Sequence, residues 1–177
     1  MNNTELLNQL LSLTVWKQID GYENYEVSIC GQVRNVTTKR ILRPRIGNGY
    51  YIVNLYKNTI PKTLKIHRLV ALHFIPKLDD KTSYIDHIDN NRLNNTISNL
   101  RWCNVSQNGF NRQLNKNSTT GIKGICLHKQ SNKWQARIRL NNKQIHIGLF
   151  DNLDDAKLAR QLKAAELFGE FLNECEK

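Results

Sequence analysis

The sequence predicts a modular α+β protein, and three observations carry that prediction. Residues 15–65 break into short strand-like runs punctuated by Gly21, Gly31, Pro44, Gly47 and Gly49, as small hairpins do. Residues 83–112 read as two short strands around an Asn-rich loop, followed by a helix. Residues 124–168 read as three strands and one long helix. A polar stretch at 111–120, rich in Asn, Lys, Ser and Thr, separates that last pattern from the rest.

Taken in order, leucines 6, 7, 10, 11 and 13 give residues 3–13 a helix-like spacing, so 1–13 is expected to be a helical or frayed segment. A β-rich module over 14–61 follows, with strands near 25–29, 32–34 and 50–56. Ile66, Leu69, Val70 and Phe74 share one face of a helix over 66–75, which Pro76 stops. Strands are expected at 83–87 and 100–103, and Asn104 with Gln107 has the form of a capping box opening another helix. On that helix Asn108, Asn111, Arg112 and Asn115 form a polar stripe, while Phe110 and Leu114 turn to a core. These elements make a second module over 62–112, joined by a linker at 113–120 to a third over 121–177.

In the third module the strands fall at 124–128, 133–140 and 143–150, with a turn at Asn141-Asn142. Alternation along the middle strand puts Trp134, Ala136, Ile138 and Leu140 on a core face and Lys133, Gln135, Arg137 and Arg139 on the other. The closing helix, 153–168, has Asn152 as its cap and Leu158, Leu162 and Ala165 on one face.

Charge narrows the partner. Lys and Arg number 26 against 15 Asp and Glu, giving +11 and a pI near 9.7, so a polyanion is expected. No apolar run is long enough to span a bilayer, and no charged start precedes an apolar signal core. Cys30, Cys103, Cys126 and Cys175 are scattered without a CxxC pair, which argues against a Cys-rich zinc site or a disulfide framework and points to a reducing, cytoplasmic setting.

Chemistry concentrates in DHIDNNRLNN at 86–95, then NLRW at 99–102 and Asn108. Phosphodiester hydrolysis needs an activated water, neutralisation of phosphoryl charge and stabilisation of the leaving oxygen. A His87 imidazole can activate the water, while Asp86 and Asn108 offer oxygen ligands to one hard divalent cation, Mg²⁺ or Mn²⁺. His67 and His73 lie on a mostly apolar helix and are expected to be packing or surface residues.

This ordered set resembles the HNH nucleases, in the homing-endonuclease branch whose last His is replaced by Asn, and IHRLVALHFIP at 66–76 resembles the helix leading into their motif. The resemblance covers roughly 62–112 and implies a ββα-metal nuclease with His87 as general base, Asn99 steadying the loop between the strands, and Asp86 with Asn108 on the metal. Many relatives have Asp-Gly-Asn where this chain has Asp89-Asn90-Asn91; Asn tolerates the left-handed turn that Gly would supply.

The flanks carry two further resemblances. Trp16 to Ser28 and Gly31 to Arg34 resemble the NUMOD4-type module that precedes such nucleases, and Arg34, Arg40, Arg43 and Arg45 are its candidate phosphate contacts. Gly121 to Gly124, Lys133 to Arg139, Ile147 to Phe150 and the Ala-rich helix resemble AP2-type domains, which lay a three-stranded sheet in the major groove. That likeness implies DNA contacts by Lys123, Lys133, Arg137, Arg139 and His146, with Arg112 added from the nuclease helix; the AP2 family often has Trp at the position of His146. The expected function is a metal-dependent, site-specific endonuclease of homing type that nicks double-stranded DNA as a monomer. A regulator with an inactive nuclease centre and an unspecific nuclease are its rivals.

Overall fold

The structure is a computed structural model that describes residues 14–77, 82–111, 114, 118, 120–141 and 143–173. The helix expected over 3–13, Arg112, Asn115, most of the linker, Asn142 and Cys175 lie outside the described residues. The chain divides into two compact units, 1–102 and 103–177.

In the first unit, β1 (Trp16–Ile19), β2 (Tyr22–Ser28) and β3 (Val33–Asn35) form one antiparallel sheet, and β4 (Arg45–Gly47), β5 (Tyr50–Lys57) and β6 (Ile60–Lys65) form another. Helix α1 (Ile66–Phe74) follows β6 directly, and β7 (Tyr84–His87) pairs with β8 (Leu100–Cys103) in a two-stranded sheet. Strand β6 carries almost no buried side chain, which is why alternation did not mark it, and as an edge strand it accommodates Pro61. Helix α1 ends where Ile75 turns extended before Pro76, and the Trp102 indole N–H donates to the Ile75 carbonyl at 2.9 Å. Val27, Val33, Val53 and Leu55 share one core with Ile66, Leu69, Val70 and Leu100. The expected 14–61 module and residues 62–102 of the expected second module therefore share one core.

The second unit holds α2 (Val105–Phe110), then β9 (Ile125–His128), β10 (Lys133–Leu140) and β11 (Lys143–Phe150) in the order β11-β10-β9, and α3 (Leu153–Phe168) packed on the sheet. Asn104 and Gln107 form the expected reciprocal cap. Two expectations need correction. Leu158 and Leu162 are 57% and 64% exposed; the buried face of α3 is Ala156, Arg160, Ala164 and Phe168, because small residues let the helix approach the sheet. Helix α2 is described to Phe110, and Asn111, expected on its exposed polar stripe, is instead buried: its side-chain and main-chain oxygens both accept from Asn173 Nδ2, at 2.9 and 2.7 Å.

Gly124, at φ +66°, is a point of close approach. A Cβ there would lie 2.2 Å from the Arg137 carbonyl oxygen, which also accepts from Arg160 Nε. Trp134, Ala136, Ile138 and Leu140 face the core as alternation predicted, and a bulge opposite Ala136 and Arg137 leaves Arg137 level with His146 and Arg139 with Gln144. No helix among the described residues is long and apolar enough to cross a membrane.

Candidate active site and nucleic-acid interface

Strand β7 delivers Asp86 and His87 together, and both are only 5% exposed. Arg101, on the neighbouring strand, donates from Nε and Nη2 to Asp86 Oδ2 at 2.9 and 2.8 Å, which fixes the orientation of the buried side chain. The loop that follows is built from asparagines. Asn90 adopts φ +60°, the left-handed turn expected of it. Asn99 Oδ1 accepts from the Asp89 amide at 3.0 Å, and Asn99 Nδ2 donates to Asp89 Oδ1 and to the Asn94 carbonyl, both at 2.8 Å. Burial would raise the Asp89 carboxyl, but hydrogen bonds from Asn94, the Asn91 amide and Asn99 outweigh it and hold the group below the usual carboxylate range.

His87 Nε2 lies 3.2 Å from Asn95 Oδ1. In the tautomer that donates Nε2–H to this oxygen, the lone pair resides on Nδ1. Burial pushes the His87 pKa down, Asn95 and the Asp89 and Asp86 carboxylates oppose that, Arg92 adds to it, and the net is a lowered pKa. The ring is thus neutral at neutral pH, the state a general base requires.

Beside it, His67 packs edge-on to His87 with centroids 5.1 Å apart, and Tyr50 packs on His67 at 4.8 Å. Burial, then electrostatic interaction with His87, Lys65 and Arg68, lower the His67 pKa to about 3. Below pH 6.5 the unfolded chain takes up a proton at His67 that the folded chain refuses until about pH 3, so stability falls as pH drops through that window. The slope is about 1 kcal/mol per pH unit for this group. Urea unfolding at pH 7 and pH 5 is expected to show a smaller acid loss for His67→Gln than for the wild type; equal losses refute the assignment.

Asn108 sits in the second unit as the fourth residue of α2, exposed. Among the described residues no cluster of three or more His, Cys, Asp and Glu could hold a metal. Asp86 carries a carboxylate and Asn108 an amide oxygen, each a hard oxygen donor of the kind Mg²⁺ takes.

The expected DNA contacts differ in availability. Arg40, Arg43 and Arg45 line a groove with Asn54 and Tyr56. Arg34 is committed inside its own module: its Nε donates to Glu26 and its guanidinium stacks 3.8 Å from the centre of the Trp16 ring. Lys133 pairs with Asp151 at 3.0 Å, and Lys123 precedes β9 and donates to the Phe110 carbonyl at 3.3 Å. Arg137, Arg139 and His146 are exposed along the sheet, with Gln135 Nε2 3.4 Å from His146 Nδ1. Arg112 falls outside the described residues. Sequence reasoning missed Asn95 and Arg101: in a run of asparagines nothing marks which one meets the histidine, whereas an Arg on the strand beside an Asp-bearing strand was a readable signal.

Comparison with known proteins bears on this arrangement. Residues 15–56 match the NUMOD4 motif and residues 64–110 match the HNH endonuclease family. An uncharacterized HNH endonuclease, L245, of Acanthamoeba polyphaga mimivirus is 40% identical over 117 residues, 66% of this chain and 34% of that protein. DNA endonuclease I-HmuI of Bacillus phage SP01 is 40% identical over 89 residues, 49% of this chain and 51% of that protein. The solved structure of the HNH homing endonuclease I-HmuI aligns with 39% identity and a TM-score of 0.47 over 51% of this chain and 52% of that chain. Protein 3.8 of Escherichia phage T7 is 33% identical over 91 residues, 51% of this chain and 74% of that protein. The chain's matches to the first two span 34% and 51% of those relatives' lengths.

Proposed function

We propose that this chain, which belongs to the HNH endonuclease family, is a metal-dependent, site-specific DNA endonuclease of homing type that nicks one strand of duplex DNA. The observation that carries this reading is the buried Asp86–His87 pair, each member held by its own partner, Arg101 and Asn95. His87 accepts the proton of the attacking water at Nδ1, and Asn95 keeps the ring turned for that task. Asn99 keeps the loop in the one shape that places Asn95, through its three hydrogen bonds. Asp86, and on the helix of the second unit Asn108, would each supply an oxygen ligand to a divalent cation, Mg²⁺ or Mn²⁺, which when bound neutralises phosphoryl charge and stabilises the leaving oxygen.

Site choice falls to the flanks. The groove of Arg40, Arg43 and Arg45 contacts phosphates, and the AP2-like sheet presents Arg137, Arg139 and His146 to the major groove. One nuclease motif per chain supports a monomer cutting one strand, and the phage and viral relatives support action on DNA in a host cytoplasm.

Incubation of supercoiled plasmid with the protein and Mg²⁺ is expected to give nicked circles, and EDTA to abolish them. Direct linearisation without a nicked precursor contradicts nicking, and intact plasmid with either metal contradicts the nuclease reading. Arg137→Ala and Arg139→Ala are each expected to cost about 1–3 kcal/mol of sequence-specific binding and to relax site preference. Unchanged affinity and preference in a gel-shift competition removes the sheet as the reading surface.

A further inference from the structure

The first unit brings two cations onto one aromatic ring. Arg101 is paired with Asp86 and Arg34 with Glu26. Lys65 and Arg92 have no ion-pair partner among the described residues, yet both converge on one ring: Lys65 Nζ lies 4.5 Å and the Arg92 guanidinium carbon 5.1 Å from the centre of Tyr50. Their origins differ. Lys65 ends β6 opposite Ile52, which puts it diagonal to Tyr50 on the β5–β6 ladder. Arg92 reaches over from the loop after β7, and its Nη1 lies 3.7 Å from where a Gly49 Cβ would be.

The ring that gathers them is also the wall of the nuclease centre. Tyr50 is half-buried, 4.8 Å from His67 and 6.1 Å from His87, centroid to centroid. Cation–π contacts with exposed cations contribute little stability, about 0.5–1 kcal/mol each. Two like charges gathered on one ring beside a general base, with no carboxylate in ion-pair contact with either among the described residues, are instead what a phosphate backbone requires.

We propose that Lys65 and Arg92, mounted on Tyr50, form a phosphate seat that grips the DNA backbone beside the bond attacked from His87. The proposal rests on the endonuclease reading above and names the part of the nucleic acid that this surface takes. Tyr50 is the positioning residue: it comes from the N-terminal strand module, so that module contributes to the cutting centre as well as to affinity.

The test is fluorescence anisotropy with a mixed-sequence duplex over a series of salt concentrations, paired with single-turnover cleavage at saturating protein. Lys65→Ala and Arg92→Ala are each expected to lower the slope of log K against log salt by about 1. Each is also expected to slow cleavage roughly tenfold or more, the scale of a lost charged hydrogen bond. Arg92→Lys is expected to keep the wild-type slope. Tyr50→Leu is expected to retain binding but lose rate, because both cations then lose their platform. If the alanine variants bind with the wild-type slope and differ only in melting temperature, the two cations merely staple a loop and the proposal fails. A wild type that binds but never cuts sinks the endonuclease reading, while the slopes still decide the phosphate seat.

Discussion

Replacing His87 by alanine is expected to lower the single-turnover rate of DNA cleavage by about 10² to 10⁴-fold, with duplex affinity nearly unchanged. The ring is buried, neutral, and hydrogen-bonded at Nε2 to Asn95, so its place is set before substrate arrives. Truncation removes the proton acceptor but leaves the Asp86–Arg101 pair and the Asn99 bonds untouched, so folding is expected to survive. Asn95→Ala is expected to give a smaller loss, since the base remains and only its orientation is released. A His87→Ala rate equal to wild type, measured with both proteins at saturation, contradicts the assignment.

Gly31→Ala is expected to damage both stability and cleavage, although Gly31 lies far from the motif in sequence. Gly31 has φ +79°, and a Cβ there would sit 2.8 Å from Asn95 Cβ and 3.1 Å from the Asn95 carbonyl oxygen. A left-handed L-residue costs about 1–2 kcal/mol. Forced overlap with a buried neighbour adds about 1–3 kcal/mol. The Ile97 amide donates to the Ile29 carbonyl at 2.8 Å, so the same turn of the first sheet backs the Asn95 loop from two directions. Gly21 provides the comparison: at φ +75° it has nothing within 4 Å, so Gly21→Ala is expected to incur the backbone cost alone. Urea unfolding is expected to rank Gly31→Ala below Gly21→Ala, and cleavage is expected to fall only in the former. Equal stabilities and rates would remove the mechanical link between the N-terminal sheet and His87.

That link marks where sequence reasoning ran out. Strands β9, β10 and β11, helix α3 and both helix caps were legible because alternation, 3.6-residue spacing and Asn caps are local signals. Strand β6 was not, because an exposed edge strand needs no buried alternate positions. The face of α3 was misread for a related reason: leucines mark a core only where room exists, and here Ala156 and Ala164 set a close helix–sheet distance while Arg160 spans the gap to the Arg137 carbonyl. In the candidate site, Asp86, His87, Asn99 and Asn108 carried a recognisable spacing, whereas Asn95, Arg101, Tyr50 and Gly31 matter through contacts that no local pattern encodes. Arg34 shows the converse. Its basic character was plain, but only the fold reveals that Glu26 and Trp16 already occupy it.

The central claim is that the Asp86–His87 hairpin cuts DNA. Its most direct test is an end-labelled duplex carrying the sequence that flanks the gene, joined without it, incubated with Mg²⁺ and resolved on a denaturing gel. The account predicts one discrete break in one strand with the wild type, and none with His87→Ala or with EDTA. Sequence-specific binding of the same duplex with no break by the wild type in Mg²⁺ or Mn²⁺ would contradict it and leave a DNA-binding regulator in its place.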